Sequence, residues 1–280
     1  MYVFPAGRLP ASRPLHLESV NIAGRAAFSG GDFMQEILSR DVRGVTVVTL
    51  NRPERLNAFT PTGYRGLRVA LERADNEPSV GAILIEGGRR AFSAGADLSY
   101  LQDDANIDAM KLEFDRLLKV LIGLSKPLIA AAAGAVVGFG ATLLLHCDIV
   151  LLASDARLRF PFVELGIVPE AGSSWLLPMA VGSQRAMDLI LSARWLNATE
   201  AVDMGLAARA LASDDVGPAA LELAQRIADT PRDAVVMAKA LLRESRRRPV
   251  ERAVERELAA AANLAELHEA MQMPRGPAQD

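Results

Sequence analysis

The chain has 280 residues, of which half are hydrophobic, and its 31 basic and 34 acidic residues give a formal net charge of −3. This length is enough for one large core with a smaller appendage. The charges form no long block of one sign, which excludes the basic surface typical of proteins that bind nucleic acids or anionic membranes. The single cysteine, Cys147, excludes an internal disulfide framework and a thiolate metal cage, so we expect a cytoplasmic protein.

The first 33 residues differ in composition from the rest. They contain three prolines and several arginines and show little periodicity, so we expect residues 1–33 to form a disordered tail. A targeting role stays open because no acidic residue precedes Glu18, and Met34 is an alternative natural start. The most apolar region, 128–145, contains three glycines and suits a buried strand, loop and helix better than a membrane span.

From residue 44 onward, short β-branched runs alternate with amphipathic stretches, which predicts an α/β core with helices covering the strands. The predicted strands span 44–53, 80–88, 126–134, 148–154 and 156–160, and the predicted helices between them span 60–78, 107–124 and 139–147. From Ser173 onward we predict helices alone, over 173–181, 183–192, 199–204, 217–229, 231–247 and 250–270. We therefore expect an α/β core over residues 34–195 and a C-terminal helical subdomain over residues 196–280.

Two glycine-containing loops each precede a predicted helix. The first is FSAGADL, 92–98, and the second is AAAGAVVGFGATLLL, 131–145. A helix N-terminus presents N–H donors that polarise a carbonyl oxygen toward an enolate, so two such loops together predict an oxyanion hole. Either loop alone is explained as well by tight turns and close packing. A phosphate loop is excluded because no Lys-Ser/Thr pair follows the glycines.

The chain resembles the enoyl-CoA hydratase/isomerase family, the crotonase superfamily, in five segments, two of which contain these loops. The segments are LNRPERLNAF (50–59), AFSAGADL (91–98), the stretch 131–182, the stretch 198–206 and AVVMAKALL (234–242). The resemblance implies a crotonase-like spiral of repeated ββα units. It also implies a homotrimer or dimer of trimers, in which the C-terminal helices cover the active site and build the subunit interface.

The resemblance also assigns roles to single residues. It implies that Ala96 and Phe139 supply the two oxyanion-hole N–H groups. It further implies a CoA nucleotide site in which the Arg55 guanidinium meets a phosphate and the other residues contribute backbone. That site consists of Arg55, Asn57, Ala58 and Ala94.

Two glutamates do the acid–base work in hydratases of this family, and the ungapped match places Thr142 and Phe162 at their positions. Neither side chain exchanges a proton near neutral pH, which argues against efficient hydration. Glu170 instead falls where the Δ3,Δ2-enoyl-CoA isomerases of the peroxisomal type carry their single catalytic glutamate. Apolar neighbours of Glu170 would raise its pKa into a useful range. The competing interpretation is an ordinary acid at a helix start, favoured by the helix dipole.

Several other residues have a structural and a functional interpretation. An acyl pocket or plain core packing explains Leu98, Leu101, Thr142, Phe162 and Trp175 equally well. We expect Glu164 to be ion-paired at the surface, Asp97 to cap a helix, His146 to be packed and Asp148 to accept from backbone donors.

The leading functional hypothesis is an acyl-CoA isomerase that shifts a double bond from the Δ3 to the Δ2 position, with Glu170 as base and Thr142 and Phe162 as bystanders to proton transfer. The alternatives are an enoyl-CoA hydratase and, from another class, a non-catalytic acyl-CoA-binding or RNA-binding homologue. We expect no cofactor except the coenzyme A of the substrate, no metal site, and neither a nucleic acid nor a membrane as partner.

Overall fold

The computed structural model describes residues 36–102 and 104–272, without the side chains of residues 101–105 and 268–272. The predicted tail, 1–33, lies outside the described residues. In chain order the strands are β1 (Ile37–Val42), β2 (Val45–Leu50), β3 (Ala82–Glu86), β4 (Ala91–Ser93), β5 (Leu128–Ala132), β6 (Ala135–Val137), β7 (Ile149–Ala153), β8 (Arg157–Arg159), β9 (Leu196–Asn197) and β10 (Arg209–Leu211). The helices are α1 (Pro61–Asn76), α2 (Asp104–Gly123), α3 (Phe139–His146), α4 (Ser173–Val181), α5 (Ser183–Ser192), α6 (Ala198–Asp203), α7 (Val216–Ala228) and α8 (Arg232–Gln272).

The larger of two sheets has the strand order β1-β2-β3-β5-β7-β10. Only the β1–β2 pair is antiparallel, and the other pairs are parallel. Helix α7 packs on one face of this sheet, while α1, α2 and α3 contribute to the main core on the other face. Because both faces are covered, β5 and β7 are apolar throughout and almost fully buried, as is β3 up to its last residue, Glu86. This arrangement confirms the predicted α/β class.

The smaller sheet has the order β4-β6-β8-β9, with β4, β6 and β8 parallel and β9 antiparallel to β8. Its strands β4 and β6 directly precede the two glycine loops. This sheet therefore brings the two loops to the same edge of the core.

The structure corrects two expectations about the C-terminal part. Strands do occur after Ser173, since β9 joins β8 and β10 joins β7. These strands have two and three residues, too short for a period to appear in the sequence. The two helices predicted on either side of Pro249 are one helix, α8, whose Val250 packs closely on Gly172 near α4. The division of the chain near residue 196 stays a prediction. None of the described helices is long and apolar enough to cross a bilayer.

Candidate active site

The two glycine loops touch each other backbone to backbone. A Cβ atom on Gly95, which has φ +90°, would lie 2.9 Å from the Val137 carbonyl oxygen and 3.3 Å from the Phe139 nitrogen. A Cβ atom on Gly140 would lie 2.6 Å from the Ser93 carbonyl oxygen. Glycine is required at both positions because a side chain would separate the loops.

The approach of the loops brings Ala96 and Phe139 to one cavity. Phe59 and Ala96 form an isolated parallel β-bridge. In this bridge Phe59 N donates to Gly95 O at 2.7 Å, and Asp97 N donates to Phe59 O at 2.8 Å. This pattern leaves the Ala96 N–H on the side of the strand away from Phe59. Phe139 is the first residue of α3, where an N–H has no acceptor within the helix. The structure thus brings together the two predicted donors, and their role as an oxyanion hole stays a prediction.

The cavity has a volume of about 310 Å³ and mainly apolar walls. One wall carries three rings of a four-ring aromatic cluster, in which the Phe139 ring lies 5.1 to 5.2 Å from each of the other three centroids. The cluster consists of Phe59, Tyr64, Phe114 and Phe139. Helix α8 closes the cavity with Val254, Glu257 and Leu258. A long apolar group would fit such walls.

Glu170 lies in this cavity, in the turn before α4, and is 9% exposed. Its Oε1 accepts a hydrogen bond from Thr142 Oγ1 at 3.0 Å. Burial raises the pKa of Glu170 to about 8; the Thr142 hydrogen bond opposes this rise and the nearby charge of Glu257 adds to it. A buried carboxyl group with such a pKa is suited to exchanging protons near neutral pH.

The turn that carries Glu170 is held from two sides. His146 Nε2 donates to the Ala171 carbonyl oxygen at 2.8 Å, which fixes the proton on that nitrogen. Burial lowers the pKa of His146 to about 4, so the ring is neutral and packed, as predicted. On the other side, Glu257 Oε2 accepts from Gly172 N at 2.7 Å, and its Oε1 accepts from Ser174 N at 2.8 Å.

The residues predicted for the CoA nucleotide site lie at one corner, where the segment 52–58 meets the first glycine loop. Ala94 N donates to Leu56 O at 2.9 Å. Asn57 is buried, and its Nδ2 donates to the carbonyl oxygens of Ala91 and Phe92. The Asn57 side chain therefore holds the segment 52–58 against the backbone of β4.

The remaining residues of that predicted site are Arg55, which is exposed on a 3₁₀ turn, and Ala58. Arg52, which the sequence did not single out, donates from Nη1 to Ala58 O at 3.1 Å and to Asp97 Oδ2 at 2.6 Å. Arg52 thus ties this corner to the loop of Ala96. CoA binding by these residues stays a prediction.

The structure separates the residues predicted for the acyl pocket. Leu98 and Phe162 line the cavity, and Thr142 contacts Glu170. Trp175 lies elsewhere, in a second depression beside Cys147 and Met179. The side chain of Leu101 lies outside the described residues.

Three further expectations are confirmed. The Glu164 side chain is 53% exposed and pairs with Arg159 at 2.5 Å, although it also lines the mouth of the cavity. Asp97 Oδ1 accepts from Ser99 N at 3.0 Å, as a helix cap does. Asp148 accepts from Leu128 N at 2.8 Å and also pairs with two cations that the sequence did not predict, Lys239 and Arg243.

Glu257 is the residue that sequence reasoning missed. It is only 7% exposed and falls on the helical stripe of Val250, Ala253 and Ala261, all of which are buried. An acid on such a stripe is rarely buried without partners, so its position was a usable signal. Among the described residues, no group of three or more His, Cys, Asp or Glu side chains is arranged to hold a metal ion.

Comparisons with known proteins find a family and solved structures to which the chain is similar. Residues 40–274 match the family model described as enoyl-CoA hydratase/isomerase. A probable enoyl-CoA hydratase from Mycobacterium leprae is 37% identical over 209 residues, which cover 75% of this chain and 81% of that protein. A 1,2-epoxyphenylacetyl-CoA isomerase from Escherichia coli is 36% identical over 208 residues, covering 71% and 78% of the two chains. The crystal structure of an enoyl-CoA hydratase/isomerase from Pseudoalteromonas atlantica superposes with a TM-score of 0.77 at 31% identity, covering 86% of this chain and 99% of that one.

Proposed function

The chain belongs to the enoyl-CoA hydratase/isomerase family, and we propose that it is an acyl-CoA isomerase that shifts a double bond from the Δ3 to the Δ2 position. The observation that carries the proposal is the position of Glu170, which lines the same cavity as Ala96 and Phe139. A family enzyme with a buried carboxyl group in the same cavity as two N–H donors has what a bond shift needs. The finer likeness, to isomerases of the peroxisomal type, is part of this proposal.

The reaction requires one base that acts twice. The Glu170 carboxylate removes a proton from C2 of a 3-enoyl thioester, and the electron pair of that C–H bond moves into a dienolate. The negative charge collects on the thioester oxygen, where the N–H groups of Ala96 and Phe139 stabilise it. Glu170 then delivers the same proton to C4, which leaves the double bond between C2 and C3. No atom is gained or lost, so no cofactor is needed.

Hydration is the second candidate, favoured by the names of several relatives. It needs one group to deprotonate water and another to protonate the α carbon. The family positions for these groups hold Thr142 and Phe162, which have no carboxyl group. Of the two other glutamates that line the cavity, Glu164 is exposed and pairs with Arg159, and Glu257 accepts two backbone hydrogen bonds. This leaves Glu170 as the one glutamate of the cavity available for proton transfer.

Binding of the CoA part is proposed at the corner of Arg55, Asn57, Ala58 and Ala94. The exposed Arg55 guanidinium is able to meet a phosphate there, while the buried Asn57 keeps the backbone of the corner in shape. A homotrimer or dimer of trimers in the cytoplasm completes the proposal.

The test is a paired measurement of turnover and CoA binding on wild type, Glu170→Gln and Glu164→Gln. Glu170→Gln keeps the shape of the side chain and removes the base, so turnover of a 3-enoyl-CoA should fall by roughly 10² to 10⁴ while CoA binding is retained. Glu164→Gln is the matched control and should stay near wild type. Loss of activity in Glu164→Gln with retention in Glu170→Gln would refute the assignment of the base.

A further inference from the structure

Glu257 stands out because it places a second carboxylate in the wall of the cavity. It lies on the inner face of α8 between Val254 and Leu258, 7% exposed. The proposed reaction gives it no proton to carry. Burying a carboxylate among apolar side chains is costly, so its position needs an explanation other than proton transfer.

Both Glu257 oxygens accept hydrogen bonds from the start of α4. Gly172 N and Ser174 N, the two donors, belong to N–H groups that a helix leaves without internal acceptors. Gly172 is the N-cap residue and has no side chain with which to cap the helix. Glu257 supplies the missing cap from a helix more than 80 residues further along the chain.

The capped turn is the one that carries Glu170. Ser173 N donates to the Glu170 carbonyl oxygen at 2.9 Å, and Ala171 and Gly172 both have positive φ, at +58° and +73°. For a residue with a Cβ such as Ala171 this conformation is costly, and its surroundings must hold it in place. His146 holds it from α3 and Glu257 from α8.

We propose that Glu257 is a positioning residue, which fixes the turn 170–174 so that the Glu170 carboxyl group faces the oxyanion hole; this rests on the proposed function. Glu257 has no proton to exchange in the proposed reaction, and backbone hydrogen bonds hold its two oxygens against Gly172 and Ser174. On this proposal α8 contributes to the catalytic centre, because Glu170 is correctly placed only when α8 packs against the turn 170–174.

The proposal has a pH signature because the Glu257 charge also raises the pKa of Glu170. Removing that charge should lower the pKa of the base and move the acidic limb of the rate profile to lower pH. The other titratable or charged side chains that line the cavity with Glu170 stay unchanged in the variants. They are Tyr64 from α1, Lys111 and Asp115 from α2, and Arg159 and Glu164 from β8 and the segment after it.

The experiment compares wild type, Glu257→Gln, Glu257→Asp and Glu255→Gln in the isomerisation of a 3-enoyl-CoA from about pH 6 to about pH 10. Glu255 is exposed on the same helix and is the matched control. Glu257→Gln should lower kcat by about 10- to 100-fold with little change in KM, and its acidic limb should move to lower pH. Glu257→Asp keeps the charge but shortens the reach, so its kcat should fall while its limb stays in place. If Glu257→Gln does not fold, Glu257→Asp alone tests the loss of kcat.

A Glu257 variant with wild-type kcat and an unmoved limb would overturn the inference. So would a variant that only unfolds at lower temperature, because a purely structural role does not move the limb. Glu170→Gln is measured alongside. If Glu170→Gln remains active, the proposed function fails; if it is inactive while both Glu257 variants behave as wild type, only the inference about Glu257 fails.

Discussion

The Thr142 hydroxyl donates a hydrogen bond to the Glu170 carboxyl group across 3.0 Å, between α3 and the turn before α4. Thr142 occupies a position that the sequence match assigns to a catalytic glutamate in hydratases, and the sequence alone predicts a bystander to proton transfer there. The structure places its hydroxyl in contact with the proposed base. The contact favours the ionised form of Glu170 and opposes the effect of burial.

This contact predicts a shift in the pH profile. Thr142→Val keeps the shape of the side chain but removes the donor, so the pKa of Glu170 should rise and the acidic limb of kcat/KM should move to higher pH. Thr142→Ser keeps the hydroxyl group and should show the wild-type limb. Above the limb, Thr142→Val should keep turnover within about tenfold of wild type, far less than the loss expected for Glu170→Gln. A limb that stays in place or moves to lower pH in Thr142→Val would refute the prediction.

The oxyanion hole is tested at Phe139. Proline is tolerated at the first position of a helix, so Phe139→Pro should remove one N–H while keeping α3. Loss of one such donor costs about 10² to 10³ in rate. Because the variant also removes an aromatic ring from the cavity wall, the control is Phe139→Leu, which loses the ring and retains the N–H. Equal turnover numbers for the two variants, with CoA binding intact, would show that this N–H does not stabilise the reaction.

Ionisation of Glu170 should also be visible in stability. Its pKa is about 8 in the folded protein against an ordinary value of 4.5, so the folded state binds more protons between these values. The stability from this group is complete below about pH 4.5 and is lost as the pH rises through 8. A glutamine side chain stays neutral at every pH. Glu170→Gln should therefore raise the melting temperature more at pH 9 than at pH 5. At pH 9 the gain in unfolding free energy should be about a few kcal/mol. Calorimetry checks this, and an equal difference at both pH values would contradict it.

The outer face of α8 predicts self-association. Met237, Leu241 and Leu242 are 66%, 73% and 82% exposed, and apolar side chains clustered in this way mark a contact surface. Light scattering should give three or six times the chain mass of 30.0 kDa. A charge at the most exposed position, Leu242→Glu, should reduce the assembly. A monomeric wild type at micromolar concentration would rule out the trimer.

The sequence predicted the long periodic elements best. Helix α5 spans the residues that its pattern indicated, 183–192, because one apolar face repeats over ten residues. Strands β4 and β6 were missed because they lie inside the glycine-containing stretches that the sequence predicts as loops, although they direct these loops to the same edge.

The candidate site was predictable in part for a related reason. Ala96, Phe139 and Glu170 lie within motifs that are continuous in the sequence, and the structure brings all three to one cavity. Glu257 and Arg52 act through contacts with segments 85 and 45 residues away, which depend on how α8 and the loops dock. No local pattern specifies such contacts.

The most direct test of the central claim is the product formed by the wild-type enzyme from two substrates supplied separately, a 3-enoyl-CoA and a 2-enoyl-CoA. If Glu170 acts as the single base, as proposed, the 3-enoyl-CoA should be converted to the 2-enoyl-CoA, and the 2-enoyl-CoA should not be rapidly hydrated. Rapid formation of a 3-hydroxyacyl-CoA from the 2-enoyl-CoA, without a bond shift in the 3-enoyl-CoA, would contradict the account.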